Sequence, residues 1–107
     1  MDVRIFRTVQ GQEPFTDWLL SLRNKMEQAR IRQRLDRLCA GNLGDYKSVG
    51  DGVYELRFFF GAGYRVYFGL IQGKVVLLLG GGDKDTQQRD IEKAKAHWQD
   101  YQDGKFS

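Results

Sequence analysis

The sequence predicts an α+β fold: a small, mainly antiparallel sheet with an αα-hairpin packed on one face, in the order β-α-α-β-β-β-α. Three observations predict it. The stretch Gly52–Lys84, GVYELRFFFGAGYRVYFGLIQGKVVLLLGGGDK, reads as three consecutive strands parted by glycine-containing breaks. Two segments ahead of it carry apolar residues at helical spacing, and a third follows it. At 107 residues the chain has room for one core, so a single domain over residues 1–107 is expected.

Taken in order, Val3–Val9 alternates well enough for a first strand at or near a sheet edge. Pro14 stands where a first helical residue belongs, and Phe15, Trp18, Leu19 and Leu22 form one stripe of a short helix. A second helix is expected over about Met26–Ala40, with Ile31, Leu35, Leu38 and Cys39 as its stripe and Gly41 as its stop. Arg30, Arg32, Arg34 and Arg37 spread over its remaining surface, and Cys39 reads as a small buried hydrophobe. Asn42–Asp51 is rich in Gly, Asp and Asn and reads as an ordered loop holding Lys47.

The three central strands are expected at Val53–Phe60, Tyr64–Ile71 and Lys74–Leu79. Gln72-Gly73 suits a two-residue turn, which would pair Ile71 with Lys74, Phe68 with Leu77 and Arg65 with Gly80. Alternation then places Tyr54, Leu56, Phe58, Phe60, Tyr64, Val66, Phe68, Leu70, Val75, Leu77 and Leu79 on one core face. The other face carries Glu55, Arg57, Arg65 and Tyr67, with Val76 and Leu78. Arg57 and Arg65 fall opposite or one pair apart, a costly placement unless an anion sits between them. Gly80-Gly81-Gly82 reads as a tight turn that delivers Lys84 to the same end of the sheet. Asp85 or Thr86 then caps a final helix reaching about Tyr101, with Ile91, Ala94, Trp98 and Tyr101 on one face. His97 lies off that stripe and reads as a surface residue.

Composition narrows the function classes. A hydrophobic content of 41% excludes a mainly disordered chain, and no apolar run is long enough to cross a membrane. The N-terminus lacks a signal peptide's apolar core. One Cys and one His make neither a disulfide nor a zinc site. The expectation is a cytoplasmic protein with no membrane partner, no metal and no cofactor. Net charge is +3, too moderate to identify a partner without regard to placement.

Several of these residues fall in a pattern. ELR, then GYRVYF, then GGDK followed by Thr-Gln, together with the helical stretch ARIRQRLDRLCAGNLGDYKSVGDGVYELR, resemble the RelE/ParE superfamily of type II bacterial toxins. The likeness covers nearly the whole chain and is nearer to the HigB-like "addiction module killer protein" branch. The resemblance implies a RelE-like fold and a cognate antitoxin, of helix-turn-helix type, that neutralises the toxin. It also implies entry into the ribosome and cleavage of mRNA by the RNA's own 2′-OH, without metal.

By that resemblance Arg65 matches the family's sheet arginine in GYR, and Arg57 a basic position on the preceding strand. Lys84 matches the basic residue after the last core strand, and Lys47 that of the loop before the sheet. The implied roles are phosphate binding by Arg57 and Arg65, with Lys84 and Lys47 as proton donor, proton acceptor or added charge. Glu55 is a second candidate for the 2′-OH proton, and Tyr67, Tyr64 or Tyr54 for stacking on a base. Glu55 stands where RelE has a lysine, and Asp85–Asp90 lacks the tyrosine that RelE-type enzymes place there. The acid–base assignment therefore stays open. So do two rival functions: a ParE-like inhibitor of DNA gyrase, and an inactive binding module on the toxin fold. For the residues alone, an ordinary Arg57–Glu55 surface pair competes with a phosphate site.

Overall fold

The chain builds one five-stranded sheet in the order β1-β5-β4-β3-β2, described by a computed structural model of residues 1–107. The elements are β1 (Asp2–Ile5), α1 (Pro14–Ser21), α2 (Lys25–Cys39), β2 (Tyr46–Gly50), β3 (Val53–Arg57), β4 (Arg65–Ile71), β5 (Val75–Gly82) and α3 (Gln87–Gln102). β1 runs parallel to β5, and every other pairing is antiparallel. The αα-hairpin carries the chain from one edge strand to the other, and the meander β2–β5 brings it back beside β1. This is the α+β RelE-like arrangement expected, with one strand more. No helix is long and apolar enough to cross a membrane.

The extra strand is β2, inside the stretch expected to be a loop. Its Tyr46-Lys47-Ser48-Val49-Gly50 is mostly exposed and lies at the sheet edge, so it needs no apolar alternation to persist. Other boundaries also move. β1 ends at Ile5 because Thr8 and Gln12 close a turn around Gly11, at φ 88°. β3 ends at Arg57, with Phe58 N–H bonded to Tyr64 O at 3.0 Å across a loop centred on Gly61. The glycine run is strand, not turn: Gly80, Gly81 and Gly82 pair with Tyr67, Val66 and Arg65. A side chain on Gly81 would strike the Trp18 indole, and one on Gly82 would strike the Asp90 carboxylate, so these two positions are closely packed.

The β4–β5 register differs from expectation by one residue near the turn. Gln72 and Gly73 both take positive φ (52° and 68°), and Lys74 N–H bonds Ile71 O at 3.0 Å, as a tight turn requires. The ladder, however, pairs Ile71 with Val75 and Phe68 with Leu78, and an irregularity at Tyr67/Phe68 adds a further residue, so Arg65 meets Gly82. A one-residue slip turns every side chain over. Val76 and Leu78, not Leu77 and Leu79, therefore join Leu56, Val66 and Phe68.

Both faces of the sheet are covered. On one, Phe15, Leu19, Ile31 and Leu38 of the helical hairpin pack on Leu56, Phe58, Val66, Phe68, Val76 and Leu78. On the other, Ala94 and Trp98 of α3 pack on Phe6, Val53, Tyr67, Leu77 and Leu79, which corrects the expectation of helices on one face only. His97 is half-buried against Phe6, with ring centroids 5.1 Å apart, rather than on the surface. Cys39 is exposed at the end of α2 rather than buried. That helix ends as foreseen: Gly41 takes φ 87°, and Asn42 and Gly41 donate to Arg37 O and Leu38 O in a Schellman arrangement. Thr86, one of the two expected candidates, is the N-cap of α3, its C=O accepting from Asp90 N–H at 3.0 Å. Its side chain makes no capping bond, and Asp83 Oδ1 accepts from Asp85 N–H and Thr86 N–H at 2.9 and 3.1 Å in the turn that leads into the helix.

Close packing of Trp98 on β4 is testable. A methyl on Gly69 would overlap its indole, whereas one on Gly80 meets nothing. Gly69→Ala should lower unfolding free energy by about 1–3 kcal/mol in urea titrations, and Gly80→Ala should not lower it.

Candidate functional site

The α3-side face of the sheet changes character along its strands. Near the β3 start it is apolar, and toward Arg57 it becomes charged. Two cross-strand rows build the charged end: Lys47, Glu55, Tyr67 and Gly80, then Arg57, Arg65 and Gly82. The first turn of α3 caps the first row through Gln87, whose Nε2 donates to Glu55 Oε2 at 2.8 Å.

Glu55 is fully buried and Tyr67 lies beside it, equally buried. Around Glu55 Oε1 stand Arg65 Nε at 3.6 Å and Lys47 Nζ at 4.0 Å, charge contacts too long for hydrogen bonds. Arg65 and Arg57 are direct cross-strand neighbours, a repulsive placement offset from both sides. Arg65 Nη1 donates to Gly63 O at 2.8 Å, and Arg57 Nη2 lies 3.6 Å from Asp45 Oδ1. The Nε atoms of both arginines are buried without a hydrogen-bond partner.

Above them opens a cleft of about 320 Å³ lined by Arg57, Phe58, Phe59, Phe60, Gly61, Gly63, Arg65 and Lys84. Lys84 N–H reaches Ala62 O at 3.4 Å, which ties the β3–β4 loop to the end of β5, and its side chain is exposed. Three of the sequence candidates thus share one cleft: Arg57, Arg65 and Lys84. Three cations with no acid in the lining make a cationic surface, and a guanidinium can bond two oxygens.

The remaining candidates are elsewhere. Lys47, on β2, contacts Glu55 and does not line the cleft. Glu55 and Tyr67 have no face open to a substrate, because α3 covers them; the expected proton acceptor and stacking residue are instead internal supports. Tyr64 is half-buried, its hydroxyl donating to Glu27 Oε1 at 2.9 Å and its ring packed edge-on against Trp18 and Phe60. Burial, then that Glu27 contact, raises its phenol above the ordinary value. Tyr54 stacks on Phe68 toward the helical hairpin, away from the charged face.

Sequence reasoning missed Arg34, Gln87 and Phe59. Arg34 is not a free surface cation: it donates to Arg57 O, Leu43 O and Asp45 O at 3.1, 3.2 and 3.0 Å, clamping the entry to β2 beside Arg57. Burial lowers its pKa, with Arg37 adding to the effect and Asp45 opposing it. Phe59 had a signal, since alternation from Arg57 puts it off the face of Phe58 and Phe60. It is 80% exposed.

Tyr67 gives this end of the sheet a pH signature. Burial, then the negative charges of Glu55 and Asp90, pushes its phenol far above 10. The folded state therefore holds the proton more tightly than the unfolded chain. That contribution to stability is complete below pH 10 and is lost as pH rises beyond it. Tyr67→Phe should flatten this alkaline loss in urea titrations between pH 7 and 11. Near pH 7 it should not lower stability, because the buried hydroxyl has no hydrogen-bond partner to lose.

No protein-family model matches the chain. A protein of Haemophilus influenzae described as an uncharacterized protein is 52% identical over 81 residues, which cover 76% of this chain and 82% of the relative. At that identity and coverage, the chain belongs to the same family as the Haemophilus influenzae protein.

Proposed function

We propose that this chain is the toxin of a type II toxin–antitoxin pair and acts as a ribosome-dependent mRNA endoribonuclease in the cytoplasm. The observation that carries the reading is the single cleft where Arg57 and Arg65 face each other across β3 and β4 with Lys84 at the rim. The RelE-like topology and the sequence pattern around GYRVYF support it.

In this reading the scissile phosphate sits between the two guanidiniums. The 2′-oxygen of the nucleotide on its 5′ side attacks phosphorus, and the bond to the leaving 5′-oxygen breaks. The products are a 2′,3′-cyclic phosphate and a 5′-hydroxyl. Arg57 and Arg65 stabilise the added negative charge, as preorganised donors do. Lys84, exposed at the rim, protonates the 5′-oxygen and regains its proton from solvent. Water takes the 2′-hydroxyl proton, since buried Glu55 and displaced Lys47 do not line the cleft. A proton acceptor this weak fits an enzyme that depends on the ribosome for positioning. A cognate antitoxin, expected to be of helix-turn-helix type, would restrain the activity.

A second reading has one observation in its favour. Both guanidiniums already contact acids of the same chain, Glu55 and Asp45, as they would in a module that binds without cutting. Expression without the antitoxin separates the readings. The ribonuclease predicts growth arrest and new mRNA 5′ ends; a binding module predicts neither, and a gyrase inhibitor predicts DNA damage with unchanged transcript ends.

Arg65→Ala and Arg57→Ala should each lower cleavage on programmed ribosomes on the order of 100-fold or more. Lys84→Ala should lower it by a comparable factor. Undiminished cleavage and growth inhibition in both arginine variants would falsify this mechanism.

A further inference from the structure

The Phe58-Phe59-Phe60 run separates two clefts. One holds Arg57, Arg65 and Lys84. The other, of about 270 Å³, lies between this run and α2, with Arg30, Gln33, Arg34 and Arg37 on its far wall and Arg57 shared. Neither lining contains an acidic side chain. Phe58 is buried in the core beneath Arg34, and Phe60 lies under the Arg30 guanidinium, 4.1 Å from its ring centroid. Phe59 alone of the three turns outward, 80% exposed on the ridge, with the Arg57 guanidinium 5.9 Å from its ring.

We propose that Phe59 is a stacking platform for an unpaired RNA base, and that the RNA backbone runs from the Arg57–Arg65–Lys84 cleft over this ridge to Arg30 and Arg37. The inference rests on the ribonuclease reading of the first cleft and extends it to at least one nucleotide beyond the bond cut. A flat aromatic face between two cationic clefts matches the alternation of base and phosphate in a single strand. Arg34 is spent on three backbone carbonyls, so Arg30 and Arg37 supply the phosphate contacts while Arg34 keeps the wall in place. The absence of acids from both linings favours a polyanion over a mixed-charge protein surface.

The test is fluorescence anisotropy of a labelled 2′-O-methyl RNA hexamer, which cannot be cut, at low salt, beside mRNA cleavage on ribosomes. Phe59→Ala should weaken hexamer binding about tenfold with an unchanged salt slope, and Phe59→Trp should restore it. Arg30→Ala with Arg37→Ala should weaken binding and make the salt dependence shallower. Unchanged hexamer affinity in Phe59→Ala overturns the platform, and weaker antitoxin binding in that variant would then assign Phe59 to a protein interface. Loss of cleavage in Arg65→Ala alongside such a result leaves the ribonuclease standing. Absence of cleavage by the unsubstituted protein on ribosomes, with a tenfold binding loss in Phe59→Ala, instead retains the RNA platform and removes the ribonuclease.

Discussion

Glu55 carries a carboxylate with no access to solvent, and the charged end of the sheet is arranged around it. Removing such a group from water costs several kcal/mol unless partners replace the lost hydration. Here the partners come from three directions: Gln87 from the start of α3, Arg65 from the neighbouring strand and Lys47 from the edge strand. Each then loses freedom in turn. Gln87 fixes where α3 begins, and with it the level at which the helix stops covering the sheet. Arg65 is drawn toward Glu55 at its Nε and held at Nη1 by Gly63 O, so its orientation is set by the protein's own contacts.

That coverage level separates core from cleft. Trp98 and Ala94 need Gly69 and the apolar rows beneath them, and they seat α3 against β3, β4 and β5. Gly82 lets the first turn of α3 come down onto β5, where Asp90 and Thr86 bond each other above it. Past that turn Arg57 and Arg65 reach the cleft beside their own loop, Arg57 partly exposed and Arg65 more deeply set. The β3–β4 loop keeps its shape through Gly61 and Gly63, both at positive φ, and through the Lys84–Ala62 bond. The cleft is thus bounded by backbone features of three strands, and its cations share the lining with the Phe58–Phe60 run.

Much of this was legible in the chain because it depends on local chemistry. The turn residues at Gln72-Gly73, the stop at Gly41 and the apolar stripes of α1 and α2 all act through neighbours in sequence. The face of β5 was not legible. Val75–Leu79 is apolar at every position, so alternation carries no phase, and the Ile71–Val75 pairing beside the turn sets the register instead, with the irregularity at Tyr67/Phe68 adding a second shift. β2 was hidden for the opposite reason, since an exposed edge strand has no apolar pattern to display. The cluster of Arg57, Arg65 and Lys84 was readable from strand order. The burial of Glu55 and Tyr67 was not, because it depends on α3 lying on the face that seemed free. Arg34 looked like its neighbours Arg30 and Arg37 until the carbonyls of Leu43, Asp45 and Arg57 were brought to it by the fold.

The state of the two facing arginines bears on what they are for. Partners of a structural ion pair gain most when every donor is bonded, yet both Nε–H groups are buried without an acceptor. Each such donor costs roughly 1–3 kcal/mol. The carboxylates near them stand at 3.6 Å, close enough to lower the repulsion between like charges but not to complete the hydrogen bonds. A ligand with several oxygens and a negative charge would bridge the pair and relieve that repulsion. A single carboxylate offers two oxygens in one plane, whereas a phosphate offers acceptors in several directions, suited to guanidiniums arriving from two strands. In the proposed reading, a phosphodiester between the two guanidiniums would offset the repulsion between them.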